Sequence, residues 1–328
     1  NWDGKFLSGP GAADFSAGGT AAGFAGGSAT AAPAAPAAQR PDSSVSERLS
    51  EVPPDVVDHA IDHVGEPNRQ HRHYASELLA KLPPVVLDNV HEPYAARAIV
   101  YCLLLDREDN VRKSQLRILH EHATGDVITL VHKLSPAIDA LDVRMRLPLI
   151  DLALPSLKAM CKSQYNEFKQ CFVKLAHADE QIDLFEWMLS QVLMRHLQPQ
   201  YEGVRKSSVQ YYSLRQLGEP LSVLLSTVAA AGNKTDVAKR SFKAAGEHLP
   251  EVPLTHSSAA RSLDELRRVL DVLATVNAKH RGRIVDACAA AICSDDHVTW
   301  QEAELLRGVS DLLDCPMPPL LVSDQAAE

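Results

Sequence analysis

The sequence predicts an all-α fold: a bundle of helical hairpins with one unit duplicated, preceded by a disordered linker. Three observations lead to it. Residues 8–54 are dominated by Gly, Ala, Ser and Pro. From about Asp55 onward, apolar residues recur at helical spacing and no run of alternating β-branched residues interrupts them. One short pattern also occurs twice, as ADEQIDLFE at residues 178–186 and as SDDHVTWQE at residues 294–302.

Taken in order, residues 8–54 cannot bury enough apolar surface to offset the entropy lost on ordering, so they read as a flexible linker. Residues 55–160 read as an N-terminal helical subdomain, and residues 161–328 as a helical region with paired hairpins. In the first hairpin, Phe168, Phe172, Leu175 and Ala176 precede the acids, and Ile182, Phe185, Leu189 and Val192 follow them. The second hairpin repeats the design, with Ile284, Val285, Cys288, Ala289 and Ile292 before its acids and Leu305, Leu306, Val309, Leu312 and Leu313 after them. The two lie 116 residues apart (295 − 179), which fits a duplicated unit and not a short-period solenoid. SLDE at Ser262–Glu265 reads as a capping box that starts a helix reaching about Val276. A fainter echo at Leu103–Leu119 lacks the closing Glu.

Bulk properties narrow the function classes. Hydrophobic residues make up 45% and charged residues 23% of the 328, so most of the chain can build a core. A net charge of −9 without a basic run or basic–aromatic stripe argues against nucleic acid, whose phosphates need a concentrated positive face. The longest apolar stretch, Pro220–Gly232, falls short of the roughly 20 residues of a membrane-spanning helix. The six cysteines are scattered with no C-x-x-C pair, which favours reduced core thiols in the cytosol. No H-E-x-x-H, G-x-S-x-G or phosphate-binding loop occurs, so the chain carries no recognisable active site.

The doubled pattern aligns Asp179 with Asp295, Glu180 with Asp296, Ile182 with Val298 and Glu186 with Glu302. Helix capping accounts for nearly all of it. Asp183 with Glu186 and Thr299 with Glu302 have capping-box spacing, and Ile182 and Val298 stand where an apolar residue staples onto the helix. Acids near a helix N-terminus also meet its positive end. Two other readings stay open. The carboxylates of Asp179, Glu180, Glu186, Asp295, Asp296 and Glu302 are candidates to hold a hard divalent cation, although the pattern is not that of an EF-hand loop. The same residues are also candidates for a charged docking surface. Separately, DHAIDH places His59 and His63 one helical turn apart, the spacing of a zinc-binding pair, with no third ligand fixed by the sequence.

The phrases ADEQIDLFEW and SDDHVTWQEAELLRGVSDLLDCPMPPLL resemble the paired hairpins of tellurite-resistance TerB-like domains. More closely, they resemble the C-terminal region of bacterial membrane-bound HtpX-like zinc metallopeptidases, peptidase family forty-eight of the metallo class. Leu78–Leu116 and Leu141–Lys158 are similar to that region too, and NWDGKF at Asn1–Phe6 is similar to the end of its peptidase domain. The resemblance implies that residues 1–7 are the tail of an upstream peptidase domain, where the zinc and the membrane helices would lie. It further implies a non-catalytic accessory region on the cytoplasmic face of the bacterial inner membrane, engaging protein substrates or partner proteins of the tethered protease. No catalytic residue carries over to this chain, and the expected cofactor is at most a divalent cation. The TerB-like pattern has Gly after the first acid, where this sequence has Glu180 and Asp296.

Overall fold

The computed structural model describes residues 5–7, 51–176, 178, 181–203, 208–231, 235–257 and 262–321. Among them the chain is all-α, with fourteen helices and four very short strands. The expected linker lies almost wholly outside the described residues, as do Asp179 and Glu180.

Two strands open the chain, β1 at Lys5–Leu7 and β2 at Glu51–Val52. Seven helices and a 3-10 turn follow. They are α1 (Pro54–Asp62), α2 (Arg69–Ala80), α3 (Pro84–Leu87), α4 (Pro93–Leu104), α5 (Asp109–His122), α6 (Gly125–Asp139) and, after the turn at Val143–Met145, α7 (Arg146–Lys158). The first hairpin is α8 (Lys162–Ala176), β3 (Gln181–Asp183) and α9 (Leu184–Tyr201). Then come α10 (Gly218–Ala230), α11 (Thr235–Glu247) and α12 (Leu263–Leu273). The second hairpin is α13 (Ala278–Ile292), β4 (Val298–Thr299) and α14 (Trp300–Leu312).

Local chemistry sets many of the helix starts. Pro stands at the first turn of α1, α3 and α4, where its missing N–H is no loss. Ser262 caps α12 by accepting from the Glu265 amide, as the sequence predicts. Thr299 and Glu302 form the predicted capping box on α14.

The apolar interior falls into two clusters. The first is built on α4, which buries every residue from Ala95 to Leu104 and so reads as a helix surrounded on all sides. Helix α6 packs along it, α7 and α8 flank it, and Leu78 of α2 reaches into the same cluster. The second gathers α10–α14 with Val52 of β2 and with Val57 and Ala60 of α1, the last packed on α13. Helix α9 serves both. Leu189, Leu193 and Leu197 enter the first cluster, while Leu184, Trp187, Met188 and Val192 enter the second. With about 1.5–3 kcal/mol for each large side chain fully buried, these two faces make α9 the seam of the molecule.

Both strand pairs are antiparallel and join an upstream segment to a hairpin. Lys5, Phe6 and Leu7 stand opposite Asp183, Ile182 and Gln181, while Glu51 and Val52 stand opposite Thr299 and Val298. No described helix is long and apolar enough to cross a membrane.

Candidate functional site: the doubled hairpin and a histidine cluster

In the second hairpin, the 3-10 turn at Cys293–Asp295 ends α13 and Asp296 reverses the chain at φ 62° and ψ 10°, in the left-handed region. This is where the TerB-like pattern carries Gly, and Asp is among the few other residues that adopt it readily. Asp296 is exposed and Asp295 half-exposed, with the Asp295 carboxylate accepting from the His297 amide at 3.2 Å. Glu302 is buried at 3% exposure. Its Oε2 accepts from the Thr299 amide and hydroxyl, both at 2.8 Å, while its own amide donates to Thr299 Oγ1 at 3.3 Å. Burial pushes the Glu302 carboxyl up to about 6 despite these two hydrogen bonds, and the Asp295 charge adds to the rise. Cys293 is pushed up to about 12, chiefly by burial and then by the charges of Asp58, Glu302, Asp295 and Asp296. Glu302 thus works as a buried cap, while Asp295 and Asp296 face outward.

The first hairpin follows the same plan as far as it is described. Helix α9 begins at Leu184, which puts Asp183 at the cap and Glu186 three residues on. The side chains of Asp183 and Glu186 fall outside the described set, so no convergence of the six acids is drawn.

The two hairpins share a further feature. The aliphatic residue of each copy sits in a strand that pairs with an upstream segment, Phe6 opposite Ile182 in the first and Val52 opposite Val298 in the second. Val52 and Val298 are fully buried. The motif therefore supplies an extended edge as well as a helix cap, a role its two-residue length hides in the sequence.

His59 and His63 lie on and just after α1, one turn apart, and their rings stack at 4.4 Å between centroids. His71 of α2 joins them, with its ring centroid 5.1 Å from each. One ligand atom from each of the three falls within 4.8 Å of the others, so the cluster is one that could hold a metal ion. A carbonyl can only accept, so the 2.9 Å bond from His63 Nδ1 to the His59 carbonyl places the His63 proton on Nδ1 and leaves an Nε2 lone pair. Asn68 Nδ2 lies 3.3 Å from that Nε2. Asn68 also caps α2, its side chain accepting from the His71 amide at 3.1 Å while its own amide donates to His71 Nδ1 at 3.3 Å. His71 Nε2 is buried without a hydrogen-bond partner. Burial lowers the His71 pKa, and the neighbouring His59 and His63 lower it further.

His71 is the member of the cluster that sequence reasoning missed, because NRQHRHY reads as a polar entry to a helix. The available signal was Asn68-x-x-His71, a capping box with His in the place of Glu. An open cleft of about 340 Å³ lies beside Leu78, Lys81, Ala137 and Met145, with Asp142 but no histidine on its wall. No family model, curated protein or solved structure matches the chain.

Proposed function

We propose that this chain is a non-catalytic accessory region of an HtpX-like zinc metallopeptidase, held at the cytoplasmic face of the bacterial inner membrane by the segments upstream of it. Its two TerB-like hairpins dock extended segments of protein substrates or partners. One observation carries the reading: each hairpin holds an extended segment of its own chain at a short strand edge, with the motif aliphatic opposite an apolar residue, and a partner segment would take the place of that segment. Main-chain pairing of this kind supplies affinity with little demand on sequence, which suits a region that presents varied proteins to a tethered protease. The test is to compare the parent peptidase with and without residues 51–328. Loss of cleavage of a folded protein substrate, with cleavage of a short unstructured peptide retained, supports docking. Equal effects on the two substrates, or none on either, overturns it.

A second reading, a divalent-metal-binding module, is favoured by the three-histidine cluster. Saturable uptake of a divalent ion by the isolated chain, measured by calorimetry, tests it.

A further inference from the structure

We infer that His59, His63 and His71 form a site for one transition-metal ion of the Zn²⁺, Co²⁺ and Ni²⁺ class, and that the bound ion clasps the two apolar cores together. This rests on the metal-binding reading above.

The donor set selects the ion. Three imidazoles with no carboxylate in the cluster suit borderline transition metals, whereas Ca²⁺ and Mg²⁺ require oxygen ligands. Part of the site is already arranged for this. The bond from His63 Nδ1 to the His59 carbonyl fixes the tautomer that offers Nε2, as the outer hydrogen bonds of metal-bound histidines commonly do. His71 Nε2, buried at 1% exposure and without a partner, is a polar atom for which the fold otherwise provides nothing. His59 and His63 are only half-buried, which leaves a solvent-facing position for a fourth ligand.

Asn68 occupies one of the places the ion would claim, at His63 Nε2, and also holds the far side of the His71 ring. Its side chain donates to His63 Nε2, and its amide donates to His71 Nδ1, both at 3.3 Å. The second contact keeps the His71 proton on Nε2. Ligation through Nε2 moves that proton to Nδ1, so the ring stays neutral and no proton is lost overall, while both long contacts are given up. The ligand atoms, now within 4.8 Å of one another, would close to about 3.3 Å around a tetrahedral ion with bonds near 2.0–2.1 Å.

The clasp follows from where the ligands are rooted. His59 and His63 belong to α1, whose Val57 and Ala60 pack in the second core. His71 belongs to α2, whose Leu78 packs in the first. The turn between the helices is tied to the second core as well, because the Gly65 amide donates to the Pro316 carbonyl at 3.1 Å. An ion bound here crosslinks two bodies that otherwise meet mainly along α9.

The test uses the full chain at pH 7.5. Calorimetric titration with ZnCl₂ and NiCl₂ should show one saturable site, MgCl₂ and CaCl₂ should show none, and H59Q/H63Q should lose the site. The Co²⁺-loaded unmodified chain should show the visible absorption of a tetrahedral nitrogen-ligated ion, a readout that does not depend on the variant folding. Hydrogen exchange should slow across residues 54–80 when Zn²⁺ is added. No Zn²⁺ binding, or binding unchanged in folded H59Q/H63Q, overturns the site and the clasp together. Saturable binding lost in H59Q/H63Q, but with exchange across 54–80 unaltered, overturns the clasp and leaves the site standing.

Discussion

Gly308 of α14 lies directly against Met188 of α9: a Cβ at Gly308 would come within 2.7 Å of Met188 Sδ and closer still to Cγ. The second helices of the two hairpins therefore touch at a point where only a hydrogen fits. Gly308→Ala should lower the unfolding free energy by about 1–3 kcal/mol, even though alanine favours helix, because overpacking outweighs propensity here. Chemical denaturation of the variant checks this, and Gly308→Ala with Met188→Ala should recover part of the loss if the contact is the cause.

Glu302 gives a pH signature. Its folded pKa, about 6, lies above the ordinary value of 4.5, so the folded state favours the protonated acid. The sign is that of a raised acid: the benefit of protonation is full below pH 4.5 and lost as pH rises through 6. Glu302→Gln keeps an oxygen that can accept from Thr299 and removes the buried charge. It should be more stable than the parent by about 1–2 kcal/mol at pH 7.5, with the difference vanishing near pH 4. Thermal melts across that range decide it. A variant less stable than the parent at pH 7.5 would mean that the charge is a net benefit at this helix start.

The left-handed backbone at Asp296 predicts a graded series. Asp296→Gly should be neutral or stabilising by up to about 1 kcal/mol, and Asp296→Val should cost about 1–2 kcal/mol, because a β-branched residue resists positive φ. Equal stability of the two variants in urea unfolding would show that the turn relaxes to another conformation.

Strand docking predicts an effect at a residue far from α14 in sequence. Val52 is buried opposite Val298, so Val52→Asp should cost about 2–4 kcal/mol. Limited proteolysis should then cut near residue 51 far faster than in the parent, while Glu51→Gln, at an exposed position, should leave the rate unchanged.

The opposite pH trend is expected of the histidine cluster. His71 has a folded pKa below 6.5, so stability is lost as pH falls below 6.5 and the unfolded chain takes up protons first. In His71→Phe, stability should fall less between pH 7 and 5.5 than in the parent.

What the sequence made legible was local. Capping at Ser262 and at Thr299–Glu302 depends on residues three apart, so a short window contains the whole device. The helical character of 55–321 was legible for the same reason, since period and breakers suffice. Contacts made across the fold were not. Nothing in the neighbourhood of Gly308 announces Met188, and the Asn68–His71 spacing in NRQHRHY announces a helix start but not that α2 brings His71 back onto His59 and His63. The strand edges escaped notice because two or three residues carry no periodicity, and their partners lie more than a hundred residues upstream.

The two strand pairs also fix where the Gly/Ala/Pro segment begins and ends. Leu7 is set beside the first hairpin and Glu51 beside the second, so both ends of residues 8–50 are fastened to the same body. Whatever length of chain joins Leu7 to Glu51, it starts and stops at fixed points. Doubling such a loop costs only about 0.6 kcal/mol of closure entropy. Insertions and deletions there should accumulate freely, and an epitope tag placed in it should leave both hairpins engaged.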